Sequence, residues 1–470
     1  MVLKHKIRLM LAAAFAFTAF MTVRLKRHLW LLVTAFCMTG ILLAICYIYD
    51  NIPHSLFGSA NVAQRYEVIK AAIFGTEDKI PDDVFLINTA HDRELIDYYD
   101  PSQPEFPAGN TDITNRRSLI TLFEKLAANP TYKYILCDIR FEPNKDKPER
   151  NDSLYEAIAR TPRIVIPMHE GKEPTDRRLL DKAGYCDYSV NFVESNFVKY
   201  EFYKNGRQSM PLKAYEDLTG HTIEPHGLIY TAGSHLCRKC VELKFPVRIY
   251  SEGNASADGL DLSAANGVIS GTTRICYNLG SDILQMDMDL AEKAKDRIIV
   301  IGDYSGGDNH TTYVGDMPGA IINYNALYAL LQGDHIVHYT EILMLFSLYF
   351  LITVYILRGR TVFQTFVPYR MRIGIMRKML AKKWQARILK KCRPKGAAMI
   401  IWSLAGIGAF LWLTSALCYM ISDVLIYLFI PTLFFSILKN IIIYVKLRKT
   451  SNRRIRRSRS LITDSEPAAC

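Results

Sequence analysis

The loop Gly302–His310 concentrates residue types that bind ligands or transfer protons. It carries Asp303, Ser305, Asp308 and His310 and follows a predicted strand. Carboxylates and an imidazole could coordinate a metal or act as acids and bases, and α/β folds bind ligands beyond the carboxyl ends of their strands. These four side chains are the candidates to line a small-ligand site, and catalysis is a second functional alternative. A purely structural turn is favoured over both, because aspartate and glycine are ordinary loop formers.

Enzymatic chemistry is not expected of this chain. A nucleophile with a partnered base cannot be identified, and neither a G-x-S-x-G nor an H-E-x-x-H motif occurs in the sequence. The motifs of protein kinases and of P-loop nucleotide-binding proteins do not occur either. The sequence therefore predicts no catalytic residue, no metal site and no cofactor.

A second group of candidate residues is the H-x-C-x-x-C motif formed by His235, Cys237 and Cys240. A zinc site would need a fourth ligand in tetrahedral geometry, and a redox pair would need a lowered thiol pKa at the start of a helix. Neither requirement can be recognised in the sequence. We expect a local disulfide or two packed thiols here. The ten cysteines of the chain are irregularly spaced, which excludes a small disulfide-stapled fold.

Strands and helices alternate along the polar middle of the chain. Apolar runs and helical spacing predict strands at Val84–Asn88, Tyr134–Arg140, Ile164–Ile166 and Arg297–Gly302, and helices at Thr114–Ala127, Ser153–Ala159 (with Asp152 as its cap) and Gly319–Leu331. This alternation predicts an α/β domain with a mainly parallel sheet and flanking helices. Residues 170–290 are expected to hold an insertion or edge strands.

Four apolar segments predict transmembrane helices. Residues 29–49 form a stretch of 21 residues without a charge, which is long enough to cross a bilayer. The segments 338–357, 396–420 and 424–445 crowd the C-terminal part of the chain. The sequence thus predicts one span before the domain 50–337 and three spans after it.

Charge is sorted by these apolar segments. Residues 50–340 contain 30 Lys or Arg and 42 Asp or Glu, although the whole chain has a net charge of +12. The connector 358–395 carries 13 basic residues and no acid, and the tail 446–470 is also basic. Because basic loops stay in the cytoplasm, the connector and tail are predicted to be cytoplasmic. The acidic domain is then extracytoplasmic, in a multi-pass membrane protein.

The N-terminal segment 1–28 is expected to be cytoplasmic because a basic cluster precedes the first span. Its apolar run Leu9–Val23 is typical of a short signal-peptide core. A different interpretation is that Met21 is the true start and that residues 1–20 lie upstream of it.

The connector contains a segment, Met371–Leu389, in which apolar and basic residues alternate. A helix of this kind is expected to lie on anionic inner-leaflet lipid with its tryptophan near the headgroups. Two roles are then open for this helix: its basic residues only fix the topology of the chain, or the helix docks a partner. The residues expected to make these contacts are Arg372, Arg377, Lys378, Lys382, Lys383, Trp384 and Arg387. Nucleic-acid binding is not expected, because juxtamembrane basic clusters follow from topology alone.

A series of short motifs follows a set order through the domain. They are Asp138-Ile-Arg-Phe141 after a helix that starts near Arg116 and Arg117, then Asn151–Leu154, Ile298–Asp303, Asp308, Met317–Ala320, Asn325–Leu327 and Leu330–Gly333. This order, followed by the predicted spans, resembles the CHASE type two family of extracytoplasmic sensory domains of bacterial receptors. The resemblance covers roughly residues 55–445. Members of that family usually continue into a cytoplasmic output domain, whereas only a short basic tail follows the last span here.

The resemblance implies a sensor or receptor subunit of the bacterial inner (plasma) membrane. Its domain would detect an unknown extracytoplasmic small ligand and pass the signal through the spans to a separate cytoplasmic signalling protein. The alternatives are a structural or scaffold protein of the envelope without a ligand, and an extracytoplasmic enzyme. Anionic inner-leaflet lipid is a further expected partner, and homo-oligomerisation would suit a receptor.

Overall fold

A computed structural model describes residues 29–53, 59–74, 81–99, 105, 107–141, 148–171, 174, 176–187, 197–245, 247, 249–250, 260–261, 269–270, 273–274, 276–304, 307–312, 314–359, 397–422, 426 and 428–445. The chain divides into two compact units. One unit, Asn51–Val337, is called the α/β unit here. The other consists of the segments before and after it and is called the helical unit.

The elements are numbered in chain order. The helices are α1 (Leu29–Asp50), α2 (Ser59–Phe74), α3 (Arg116–Ala128), α4 (Pro148–Arg160), α5 (Arg177–Leu180), α6 (Met210–Thr219), α7 (Leu290–Lys293), α8 (Gly319–Leu331), α9 (Tyr339–Leu357), α10 (Ala397–Ser422) and α11 (Phe429–Val445), with a π-helix at Leu279–Gln285. The strands are β1 (Val84–Asn88), β2 (Arg93–Tyr99), β3 (Pro107–Thr114), β4 (Tyr134–Cys137), β5 (Ile164–Met168), β6 (Ala183–Tyr185), β7 (Lys199–Glu201), β8 (Tyr203–Lys204), β9 (Arg207–Gln208), β10 (Glu224–His226), β11 (Ile229–Ala232), β12 (His235–Cys237), β13 (Cys240–Glu242), β14 (Ile249–Tyr250), β15 (Leu260–Asp261), β16 (Ile269–Ser270), β17 (Thr273–Arg274), β18 (Cys276–Asn278), β19 (Ile298–Gly302), β20 (Asn309–Thr312) and β21 (Gly315–Pro318).

The α/β unit is built around a six-stranded sheet in the order β18-β1-β19-β4-β5-β6, with every neighbouring pair parallel. All residues of β1, β4, β5 and β19 are buried. Continuous apolar runs of this kind are typical of parallel strands covered on both faces. The α/β prediction with a mainly parallel sheet and flanking helices is therefore confirmed.

Helices cover both faces of the sheet. On one face, α3, α4 and the π-helix contribute apolar side chains to a core that includes Phe85, Ile135 and Ile299. On the other face, α6 contacts β4, β5 and β6, and α8 contacts β4 and β19. The sheet is thus the middle of three layers, and its strand ends remain the place where polar groups can gather.

Several predicted boundaries change in the structure. Helix α3 begins only at Arg116, because β3 continues to Thr114 and the Asn115 side chain accepts hydrogen bonds from the amides of Arg117 and Ser118. The prediction of Asp152 as a helix cap is wrong: α4 already begins at Pro148, and proline suits the first turn of a helix.

The strand predicted at Tyr134–Arg140 is shorter than expected. It ends at Cys137, and the next residue, Asp138, accepts a hydrogen bond from Asn323 of α8. Residues 170–290 supply the two edge strands of the sheet, β6 and β18. They also form α6 and several two- or three-stranded sheets.

Within the described part of the chain, the helical unit contains two helices, α1 and α9, that are long and apolar enough to cross a membrane. Leu31 and Ala35 of α1 pack against Val354 of α9. Two other apolar helical segments are shorter than the 18 residues taken as the minimum for a span. They are Ile407–Met420, which lies within α10, and α11. The prediction of four spans is thus met in part, and the remainder stays a prediction.

Candidate functional site at the carboxyl edge of the sheet

The carboxyl ends of the parallel strands meet at one edge of the sheet, called the carboxyl edge here. Four neighbouring strands, β19, β4, β5 and β6, are followed directly by Asp303, Asp138, His169 and Cys186. A parallel sheet brings such residues side by side even when they are far apart in the sequence. Carboxylate, imidazole and thiol groups therefore gather at this edge.

Asp303 forms an ion pair with Arg93 of β2. The Arg93 guanidinium also donates a hydrogen bond to the carbonyl of Ala90, with an Nε–O distance of 3.2 Å. The Asp303 side chain is only 18% exposed. This contact balances its negative charge and fixes the start of the loop that leaves β19.

Asp308 and His310 lie beside each other at the start of the β20–β21 hairpin. The His310 Nε2 and Asp308 Oδ1 atoms are 3.0 Å apart. Burial lowers the pKa of His310 below its ordinary value, which favours the neutral imidazole. A neutral imidazole leaves one ring nitrogen able to accept a proton or bind a metal ion.

Two glycines allow the loop, β19 and α8 to approach one another closely. A Cβ atom on Gly302 would lie 2.5 Å from the Cβ of Ala320 in α8. A Cβ on Gly319 would lie 2.5 Å from Asp308 Oδ2 and 3.1 Å from Asp138 Oδ2. A larger residue at Gly302 would have to move α8, and one at Gly319 would have to displace the Asp308 carboxylate. The two carboxylates therefore face the same small space at the N-terminus of α8.

The electrostatics of these two carboxylates are coupled. Removal from solvent and the nearby charge of Asp308 raise the pKa of Asp138 to about 7, against a smaller lowering effect of the Asn323 hydrogen bond. Partial burial and the charge of Asp303 raise the pKa of Asp308, although His169 opposes this shift. Because 49% of the Asp308 side chain is exposed, solvent screens part of this effect.

A buried hydrogen-bond chain orients Asp138. The Tyr200 hydroxyl donates to Asn323 Oδ1 at 2.6 Å, and Asn323 Nδ2 donates to Asp138 Oδ2 at 3.2 Å. Tyr200 and Asn323 are 2% and 4% exposed. Burial raises the pKa of Tyr200 well above its ordinary value, so its hydroxyl stays protonated and able to donate.

The carboxyl ends of β5 and β6 form a second polar group, called the β5–β6 corner here. It consists of His169, Cys186 and Asp187, whose nitrogen, sulfur and oxygen atoms all lie within 4.8 Å of one another. His169 Nδ1 is 2.5 Å from Asp187 Oδ1. The Cys186 Sγ atom lies 3.5 Å from His169 Nδ1 and 3.6 Å from Nε2.

The backbone holds this corner in place. Met168 pairs with Tyr185 in the parallel register, and the Cys186 amide donates to the carbonyl of Met168 at 3.1 Å. The Glu170 amide donates to Asp187 Oδ2 at 2.7 Å. The three side chains of the corner therefore emerge from a fixed pair of strand ends.

The charges at the corner have opposite effects on its two acidic groups. Burial, followed by the charges of Asp138, Asp187 and Asp308, raises the pKa of the Cys186 thiol above its ordinary value. Burial also acts to raise the pKa of Asp187, but hydrogen bonds from the Glu170 amide and His169 outweigh it and hold that pKa below its usual range. Asp187 is thus ionised at neutral pH while Cys186 carries its proton.

The ligand-binding residues predicted from the sequence can now be placed. Asp303, Asp308 and His310 lie at or beside the carboxyl edge, while Ser305 lies outside the described residues. Sequence reasoning did not single out His169 or Cys186 as candidate residues. The strand predicted at Ile164–Ile166 ends shortly before His169, and this is the signal that could have found it. No strand was predicted before Cys186.

Two other groups of predicted residues have different outcomes. Those expected at the lipid surface lie outside the described residues, namely Arg372, Arg377, Lys378, Lys382, Lys383, Trp384 and Arg387. In the H-x-C-x-x-C motif, Cys237 ends β12 and Cys240 begins β13, and no disulfide joins them. Burial raises the pKa of the Cys237 thiol to about 11, which is the reverse of what a reactive redox thiol needs.

Comparison with known proteins gives no match: no family model, no curated protein and no solved structure is similar to this chain.

Proposed function

We propose that this chain is a bacterial membrane sensor or receptor subunit whose extracytoplasmic α/β unit binds a small ligand at its carboxyl edge. It has no catalytic role of its own. The bound state is passed through the membrane helices to a separate cytoplasmic signalling protein. The observation that carries the proposal is the convergence of Asp138, at the end of β4, and Asp308 at the N-terminus of α8, with His310 in contact with Asp308 and His169 near enough for its charge to act on Asp308.

The chemistry of this edge supports a binding site. Asp308 and His310 are in contact and partly exposed, with side-chain exposures of 49% and 30%, so a ligand could reach both. Asp138 beneath them is oriented by a buried hydrogen-bond chain. Fixed polar groups beside exposed ones are typical of small-ligand sites, because the fixed groups bind without a large ordering cost.

The connections of the α/β unit support a role in transmission. It is preceded directly by α1, which ends at Asp50, and followed by α9, which starts at Tyr339. Both helices could cross a membrane. A ligand that prefers one conformation of the unit shifts its equilibrium by the difference in affinity, and both chain connections can carry that shift.

The complete topology is part of the proposal. We propose that α10, which is 26 residues long, and α11 are two further spans. The connector 358–395 and the tail 446–470 then lie in the cytoplasm at an anionic lipid surface. Reporter fusions at residues 337, 395 and 459 test this arrangement: a reporter active only outside should work at 337 alone. Activity at 395 would overturn the four-span topology.

A ligand screen tests the binding role. The full chain in detergent is screened against small polar compounds by thermal unfolding, since a ligand at 100 times its Kd stabilises the folded state by about 2.7 kcal/mol. We expect stabilisation by one chemical class, and its loss in Asp308→Asn and His310→Gln. The matched control is Asp287→Asn, a carboxylate with 85% exposure that pairs with Lys125 elsewhere on the unit.

Capture from membranes tests the output. The wild-type chain should recover a cytoplasmic signalling protein whose activity changes with the stimulus, and Asp308→Asn should recover that protein without the change in activity. Recovery of envelope structural proteins alone, with no stabilising ligand in the screen, would contradict the sensor role and favour a scaffold.

A further inference from the structure

The three side chains of the β5–β6 corner provide the donor atoms of a metal site. We propose that His169, Cys186 and Asp187 bind a divalent transition metal ion of the zinc type. Imidazole nitrogen, thiolate sulfur and carboxylate oxygen are the usual ligands of zinc. These donors come from two strand ends that are 17 or 18 residues apart in the sequence, so the fold brings them together.

The distances in the corner suit a tetrahedral ion. Zinc bonds of about 2.3 Å to sulfur and about 2.0 Å to nitrogen place adjacent ligands about 3.5 Å apart. The two Cys186–His169 distances are 3.5 and 3.6 Å. The His169–Asp187 contact of 2.5 Å is a direct hydrogen bond, and it must lengthen by less than about 1 Å to admit an ion.

The three side chains of the β5–β6 corner differ in how freely they can move, and this difference suits the binding of a metal ion. Cys186 is 7% exposed and its backbone is held by Met168. The His169 and Asp187 side chains are 36% and 29% exposed. The sulfur thus provides a fixed anchor, while the imidazole and carboxylate can rotate to meet the ion and leave a fourth position open to water or to a ligand.

The surrounding charge favours a cation. Asp138 and Asp308 are close enough to Cys186 that their charges act on it. Binding of the ion replaces the thiol proton, which passes to solvent, and the positive charge offsets the neighbouring carboxylates. Magnesium and calcium are poor candidates, because they prefer an all-oxygen shell to sulfur and nitrogen.

The same residue types also occur in Cys-His-Asp nucleophilic triads, but the geometry here is different. In a triad, one imidazole nitrogen faces the nucleophile and the other faces the carboxylate. Here Cys186 Sγ is almost equally far from both nitrogens of His169. A buried thiol surrounded by carboxylates also disfavours the thiolate that would attack a substrate.

Cobalt(II) substitution tests the site directly. The full chain in detergent, reduced and stripped with a chelator, is titrated with cobalt. A thiolate bound to cobalt gives a near-ultraviolet charge-transfer band, and zinc should abolish it by displacement. We expect Cys186→Ser to remove the band, and His169→Gln and Asp187→Asn to weaken zinc binding about 100-fold. Cys237→Ser is the matched control and should keep the band, since it changes the H-x-C-x-x-C cysteine instead.

The outcomes separate the inference from the sensor proposal. The absence of a cobalt–thiolate band, its survival in Cys186→Ser or its loss in Cys237→Ser would each overturn the site. If Cys186→Ser does not fold, His169→Gln decides, because its side chain is partly exposed. The metal site depends on the proposed sensor function only if the metal ion is itself the stimulus that the sensor detects. Binding is measured without a partner, so its failure leaves the sensor role to be judged by the ligand screen and capture.

Discussion

Two groups of cysteine and histidine residues in the α/β unit differ in how they arise. The H-x-C-x-x-C motif is contiguous in the sequence, yet β12 belongs to a three-stranded sheet and β13 pairs with β7. The β5–β6 corner has no motif, yet its three donor atoms converge within 4.8 Å. No such convergence involves Cys237 among the residues that the structure describes.

The physical reason is the direction of the strands. Parallel neighbours in register place their last residues side by side, as Met168 and Tyr185 show. In the motif, by contrast, Cys237 and Cys240 lie in strands of different sheets and only two residues separate them. Proximity in the sequence is therefore a weaker guide to a site than shared position at a sheet edge.

The largest expected effect on stability, and the strongest test of this comparison, comes from Gly184→Ala. A Cβ at this position would lie 2.7 Å from the Cα of Met210 and 3.0 Å from a methyl of Val165. The substitution should push β6 away from α6, lower the free energy of unfolding by about 2–3 kcal/mol and displace Cys186. Urea unfolding measures the first effect, and cobalt titration the second.

Gly233→Ala in the β11–β12 turn is the control for that substitution. Gly233 has φ +57° and open space around its Cα, so alanine costs only the strain of the left-handed backbone, about 1 kcal/mol. Cobalt binding should be unchanged. Equal losses of stability in the two variants would show that close packing does not position the β5–β6 corner.

The second-largest effect is expected in the pH dependence of stability, and it comes from Asp138, the carboxylate beside the β5–β6 corner. Because the pKa of Asp138 is raised to about 7, the folded chain keeps a proton on this group that the unfolded chain loses near pH 4. The unfolding free energy should therefore fall as the pH rises from 4 to 7. Asp138→Asn should remove this decline. The Asp138 side chain is only partly removed from solvent, so we expect the variant to be more stable than wild type by about 2 kcal/mol at pH 8 and equally stable at pH 4.

Chemical denaturation at several pH values, with a chelator present, measures this difference. Glu224→Gln is the control. Glu224 lies in β10, in the same three-stranded sheet as β12 of the H-x-C-x-x-C motif. Because its side chain is 65% exposed, its removal should leave stability unchanged across the range. A variant of Asp138 that loses stability equally at pH 4 and pH 8 would contradict a protonated carboxyl at this position.

The smallest effect is a difference in thiol protection. Both Cys186 and Cys237 are buried and have raised pKa values, so both should alkylate slowly in the native chain at pH 8. Saturating zinc should slow the alkylation of Cys186 by about a further tenfold and leave the alkylation rate of Cys237 unchanged. Peptide mapping after iodoacetamide treatment measures both rates. Zinc protection of Cys237 would reverse the comparison between the two groups.

Much of the fold was predictable because its signals are local. The buried strands β1 and β19 follow from short continuous apolar runs, and α8 follows from a longer apolar segment. The end of β4 was not predictable in this way, because Asp138 leaves the sheet to meet Asn323, 185 residues later. A contact between residues so far apart in the sequence leaves no signal in a window of neighbouring residues.

In the candidate site, too, some residues could be predicted from the sequence and others could not. The loop with Asp303, Asp308 and His310 could be found from residue types alone, since polar residues and glycine follow an apolar strand. Its partners could not. Arg93 meets Asp303 across 210 residues, and the hydrogen bond between Tyr200 and Asn323 spans 123.

The sequence by itself thus determined the α/β class, the buried strands and the loop after β19, because hydrophobic periodicity and turn residues act over a few positions. Only the tertiary structure decided which strand ends are neighbours. The order β19-β4-β5-β6 depends on packing of both sheet faces against helices distant in the chain. That order places Asp138, His169 and Cys186 at one edge.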